Sequence, residues 1–84
     1  PLNIELYQKA GAKSEYTADA DVVITDRSGR AVLETKAEGP FLFAKLAAGT
    51  YRVKAMLAGK TVEKSVTVGR GTARAVLVFP QGTD

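Results

Sequence analysis

The chain has 84 residues, 45% of them hydrophobic, with 12 basic and 9 acidic side chains and a formal net charge of +3. That length makes a single domain with one core, and the charge is of a size that keeps a small domain soluble, not one that marks a nucleic-acid face. There is neither Cys nor His, which removes disulfides, thiolate and imidazole metal ligands, the commonest general base and the strongest nucleophile.

Glycine stands at 29, 39, 49, 59 and 69, and the residues between are rich in Val, Leu, Phe, Thr and Tyr. Even spacing of this kind predicts short strands joined by tight turns, with glycine supplying φ > 0. Leu2, Ile4 and Leu6 alternate with Asn3, Glu5 and Tyr7 as a half-buried first strand. Residues 9–20 are polar and small and read as a long loop. Val22 and Ile24 open a second strand, closed by the turn Asp26-Arg27-Ser28-Gly29. A third strand covers about 31–37. Pro40 has no N–H and is expected to precede the fourth strand, Phe41 to Leu46. There Phe41 and Phe43 share a face, and Leu46 falls out of phase with them, which predicts a bulge near Ala44-Lys45. The fifth strand turns Tyr51, Val53, Ala55 and Leu57 inward and Arg52, Lys54 and Met56 outward. The sixth buries Val62, Val66 and Val68, with Lys64 interrupting that face at a rim or bulge. The seventh, about 72–79, alternates Ala75, Leu77 and Phe79 with Arg74, Val76 and Val78, so one face or both could be covered. The expectation is an all-β, seven-stranded antiparallel β-sandwich spanning residues 1–84, of prealbumin-like or immunoglobulin-like type.

The segment Phe41-Leu42-Phe43-Ala44-Lys45-Leu46-Ala47-Ala48-Gly49-Thr50-Tyr51-Arg52-Val53 resembles the core signature of carboxypeptidase regulatory-like domains, which are small transthyretin-like sandwiches. The pattern is F-x-F-x-x-L-x-x-G-x-Y-x-V. Ala20-Asp21-Val22-x-Ile24 and Asp26-Arg27-Ser28-Gly29-Arg30 are similar to that family's second strand and turn, so the likeness covers about residues 20–79. The resemblance implies two core aromatics, Phe41 and Phe43, beside Leu46 and Val53. It also implies a left-handed turn at Gly49 and a buried Tyr51 whose hydroxyl bonds backbone like a tyrosine corner. It further implies an accessory domain of an exported protein, periplasmic or extracellular. The chain begins with Pro1, not Met, and is expected to be a trimmed piece of a longer product.

Function is less legible. No cofactor motif is present, and an enzyme is not expected. Glu15, Asp19 and Asp21 lie around one loop, but without the D-x-D-x-D-G run of a calcium loop they read as ordinary strand-start acids. An isopeptide cross-link finds no Asn or Asp on the last strand. No apolar run reaches the roughly 18 residues of a helical membrane span. The expected role is a non-catalytic structural or interaction module, and the alternative is a ligand-binding module that uses the 9–20 loop. Two candidate surfaces go with these readings. Tyr16 in the 9–20 loop is the candidate platform for a glycan or cell-wall ligand. Arg27, Arg30 and Arg70, in turns at one pole, are the candidate contact for an anion or an acidic partner. Arg52, Lys54, Lys45 and Arg74 are outward and basic, and read as charges that keep exposed strands soluble. The partner is a protein or a glycan, and its identity is not written in the sequence.

Overall fold

A computed structural model describes residues 1–10, 13–17 and 19–80, and the side chains of all of these but 10 and 13–16. Eight strands follow one another with no helix among the described residues: β1 (Leu2–Ala10), β2 (Lys13–Tyr16), β3 (Ala20–Thr25), β4 (Ala31–Ala37), β5 (Phe41–Ala44), β6 (Gly49–Leu57), β7 (Lys60–Val68) and β8 (Ala73–Phe79). They form two sheets, a sandwich-like all-β fold. All seven expected strands are there. The eighth, β2, lies in the stretch expected to be a loop, because its polar composition hides a strand whose pairing to β1 runs from Tyr7↔Tyr16 to Ala10↔Lys13.

The first sheet is organised around β1. One edge of β1 is shared end to end: Leu2 to Glu5 pair with β5, and Tyr7 to Ala10 pair with β2. Leu6 hands over between them, its N–H donating to Pro40 O (2.8 Å) while its carbonyl accepts from Thr17 N (3.2 Å). The other edge of β1 pairs with β8, and it does so in parallel, from Leu2↔Ala73 to Gln8↔Phe79. This corrects the expectation of a wholly antiparallel fold. First and last strands lie side by side in this sheet and run the same way, so their ladder is parallel.

The second sheet has the order β4-β3-β6-β7 and is antiparallel throughout. Its turns are tight. β6 and β7 are joined by Ala58-Gly59 between the paired residues Leu57 and Lys60, both with positive φ (50° and 78°). That is the two-residue primed turn whose twist matches a hairpin. Gly29 (φ 89°) closes the β3–β4 turn. The register of β3 on β4 slips after Ile24↔Leu33 to Thr25↔Ala31, so Val32 is the extra residue of a bulge and is left exposed. Gly49 corrects a second expectation: it opens β6 without positive φ, which falls at Gly29 and Gly59 instead.

The core lies between the sheets. Leu2, Ile4, Leu6, Ala75, Leu77 and Phe79 of the first meet Val22, Ile24, Tyr51, Val53 and Val68 of the second, all buried. Fully burying a side chain of this size contributes about 1.5–3 kcal/mol, so these alternating positions carry the fold. Lys64 stays in register opposite Val53 without a bulge, exposed on the edge strand β7.

Strand β5 supplies the largest correction. Phe41 and Phe43 do not fill the core, and each is 58% exposed. Cross-strand partners share a face, and β5 pairs Leu42 with Ile4 and Ala44 with Leu2, whose side chains point inward. Phe41 and Phe43 pair with Glu5 and Asn3 and face outward. Leu42, Ala44 and Leu46 therefore share one phase, and Leu46 packs against the core with no bulge needed at Ala44-Lys45.

Candidate functional site

Two surfaces gather chemistry, one on the outside of each sheet. The first starts from the β3–β4 turn. Asp26 N donates to Arg30 O (2.9 Å) and Gly29 N to Asp26 O (3.0 Å), closing the loop. A single carboxylate oxygen of Asp26 then accepts from Ser28 N (2.9 Å), Ser28 Oγ (2.6 Å) and Arg30 N (3.0 Å). These bonds, the Ser28 hydroxyl foremost, hold the Asp26 carboxyl below its usual pKa. A turn so tied presents Arg27 from a fixed frame.

Arg27 overhangs the start of β6, where register lines up three strands. Thr25 pairs with Arg52, and Arg52 with Ser65. The result is a cleft of about 330 Å³ lined by Thr25, Asp26, Arg27, Thr50, Arg52 and Ser65, with Gly29 and Tyr51 completing it. Glu63 sits beside it and leans on two cations, Arg52 Nη1 at 3.6 Å and Lys54 Nζ at 3.4 Å. All three side chains are well exposed, so these pairs are weak.

This arrangement revises two expectations. Arg27, Arg30 and Arg70 do share one end of the molecule, since the β3–β4 turn, the start of β6 and the β7–β8 connection lie together there. Neither Arg30 nor Arg70 lines the cleft, however; its second arginine is Arg52. The outward basic residues also do not make one face. Arg52 and Lys54 belong to the second sheet, Arg74 to the first, and Lys45 follows β5 in a connection. The signal for Arg52 was its outward phase on β6. What sequence could not supply was its neighbour in space, Arg27, which is 25 positions away.

The second surface is the outside of the first sheet. Three strands set Phe43, Asn3 and Arg74 in one row and Phe41, Glu5 and Val76 in the next, with Tyr7 and Val78 above. At its centre Glu5, its side chain only 13% exposed, takes bonds from Tyr7 Oη (2.6 Å) and from Nε and Nη2 of Arg74 (the latter 3.0 Å). The Arg74 fork, with Tyr7, holds the Glu5 carboxyl below its ordinary pKa. A neutralised ion pair is thus ringed by Phe41, Phe43, Val76 and Val78. Asn3, Ile4, Glu5, Phe41, Leu42 and Phe43 line a shallow depression of about 390 Å³ at its β5 side. The Glu5–Tyr7–Arg74 group had no sequence signal, since it rests on the parallel pairing of the first and last strands.

Of the remaining signature residues, Tyr51 and Val53 are buried, and Tyr51 Oη donates to Ala47 O at 2.7 Å, the backbone contact expected of it. Tyr16 lies on β2 opposite Tyr7, and its side chain is outside the described residues, as is that of Glu15. Asp19 is exposed with φ 66° at the entry to β3. No protein-family model and no curated protein matches the chain.

Proposed function

We propose that this domain is a non-catalytic interaction module of an exported, periplasmic or extracellular protein, of the carboxypeptidase regulatory-like, prealbumin-like type, and that it meets its partner through the outer face of the first sheet. The observation that carries this reading is the pair Phe41 and Phe43, two large aromatics each 58% exposed side by side on one strand. Exposed aromatics clustered with aliphatic neighbours mark contact surfaces, because burying them supplies most of the energy of a protein interface. The Tyr51–Ala47 contact and the two-sheet architecture support the family type.

The partner is the apolar surface of a neighbouring protein domain. Glu5 and Arg74 cancel at the centre of the face, so it offers no net charge to a polyanion or an anionic membrane. Strands β5, β1 and β8, of four, nine and seven residues and about 4.8 Å apart, outline roughly 300 Å². A stable free-standing complex buries about 800 Å² per partner, so this contact belongs to the weak, transient class.

The test places a photo-crosslinking phenylalanine analogue at position 43 of the full-length gene product, with position 64 as control. The adduct is identified, and its binding to the purified domain is measured by calorimetry. A discrete adduct from 43 and none from 64 is expected, with binding about tenfold weaker in the Phe41→Ser/Phe43→Ser variant. Binding that survives both substitutions, or no adduct at 43, overturns the reading.

A further inference from the structure

The cleft between the β3–β4 turn and β6 has no part in that contact, since it opens on the other sheet. We infer that it binds a tetrahedral oxyanion, a phosphate or sulfate group, clamped between the guanidinium groups of Arg27 and Arg52 and ringed by the hydroxyls of Thr25, Thr50 and Ser65. Four observations combine here. Arg27 and Arg52 line one concavity though one comes from the β3–β4 turn and the other from strand β6. Among the described residues, Arg27 has no carboxylate partner and the three hydroxyls no hydrogen-bond partner. Among the described residues Arg52 is held only by the long, exposed contact to Glu63. The turn that displays Arg27 is fixed by three hydrogen bonds to one Asp26 oxygen, so its backbone needs no ordering on binding and only the arginine side chain is left to settle.

The chemistry decides the ligand class. Guanidinium forks match oxyanions in geometry and charge, and several hydroxyl donors suit a group with three or four oxygens better than a two-oxygen carboxylate. Asp26 also lines the cleft, but Ser28 and Arg30 occupy one of its oxygens. Arg27, Arg52 and Lys54 then stand against Asp26 and Glu63, leaving an excess of one positive charge. A volume of about 330 Å³ is at the lower end for small-molecule sites, enough for the anion and the first part of what it is attached to.

Glu63 is the internal competitor, which gives the inference a distinctive signature. The test is an NMR titration of the 84-residue chain at constant low ionic strength with inorganic phosphate, with sulfate and with a sugar phosphate monoester. Saturable shifts are expected at Arg27, Thr50, Arg52 and Ser65. Arg27→Gln and Arg52→Gln each weaken binding about tenfold. Glu63→Gln tightens it by releasing Arg52 and Lys54, whereas Arg70→Gln, at the same end but outside the cleft, leaves it unchanged. Tighter binding of the monoester than of phosphate assigns the site to an esterified ligand, and equal binding assigns it to the free anion. A flat titration overturns the inference. So does equal weakening by Arg70→Gln and Arg27→Gln, which would mean attraction to net charge alone.

Discussion

The outer faces of the two sheets stand on the same core and differ in how their charges are handled. On the first sheet Arg74 and Tyr7 close over Glu5, and the periphery is Phe41, Phe43, Val76 and Val78. On the second, Arg52 and Lys54 lean loosely on one exposed Glu63, and the neighbours are hydroxyls. Charge that is satisfied internally leaves an apolar surface for a protein contact. Charge left half-satisfied beside hydroxyls leaves a surface for a polar ligand. One small sandwich-like domain can thus carry two unlike surfaces without disturbing its interior, because strand alternation separates the inner residues from the outer ones.

The division between inside and outside is broken most severely by aromatic truncation. Phe79→Ala, at a fully buried ring, should destabilise by about 3–5 kcal/mol. Phe43→Ala, on the outer face, should cost less than about 1 kcal/mol in denaturant unfolding. Equal, large losses would place Phe43 in the core after all. Next in size is Tyr51→Phe, which keeps the buried ring and deletes the bond to Ala47 O, for an expected loss of about 0.5–1.5 kcal/mol.

Turn chemistry gives a finer contrast. Gly59→Ala forces a side chain into φ 78° and should destabilise by about 1 kcal/mol. Gly49→Ala should be close to neutral, since its Cβ would meet the Tyr51 ring at an ordinary 3.7 Å. Ala58 already sits at φ 50°, so Ala58→Asn, a residue that tolerates this region, should raise the melting temperature.

The smallest effect is on acid stability. Glu5 and Asp26 both have folded pKa values lowered, by Arg74 and Tyr7 in one case and by Ser28 and Arg30 in the other. A lowered folded pKa contributes stability that is complete above the unfolded value, about 3.9 for Asp and 4.3 for Glu. That contribution is lost as pH falls through the folded value. Glu5→Gln should therefore flatten the fall in melting temperature on acidification below about pH 4.3, with little change in that slope between pH 6 and 8.

Much of the fold was legible in the residues. The period-two pattern of β1, β3 and β6 named their buried faces because each mixes apolar with polar positions, whereas β8, with Val76 and Val78 opposite Ala75, Leu77 and Phe79, left both faces open. Strand β5 defeated the same reasoning. Phe-Leu-Phe-Ala has apolar residues on both faces, so alternation separates the two sets without saying which is inner, and side-chain size favoured the phenylalanines. The pairing of Leu42 with Ile4 decided it, and that is a long-range fact. The phase of Leu46 was the available clue: it agrees with Leu42 and Ala44, and a bulge was needed only if the phenylalanines were buried. Likewise Arg27 was legible as a turn arginine, but its meeting with Arg52 depends on how β3 pairs with β6.

The orientation of β5 is the claim on which the protein-contact surface depends, and the chain, lacking any native cysteine, allows it to be measured cleanly. Single Ala44→Cys and Phe43→Cys variants would be treated with a maleimide under native conditions and again in denaturant. The account predicts that Cys at position 43 labels about as fast folded as unfolded, while Cys at position 44 is protected until the protein unfolds. Protection at 43 with free labelling at 44 would contradict it, returning the phenylalanines to the core and removing the face assigned to the partner.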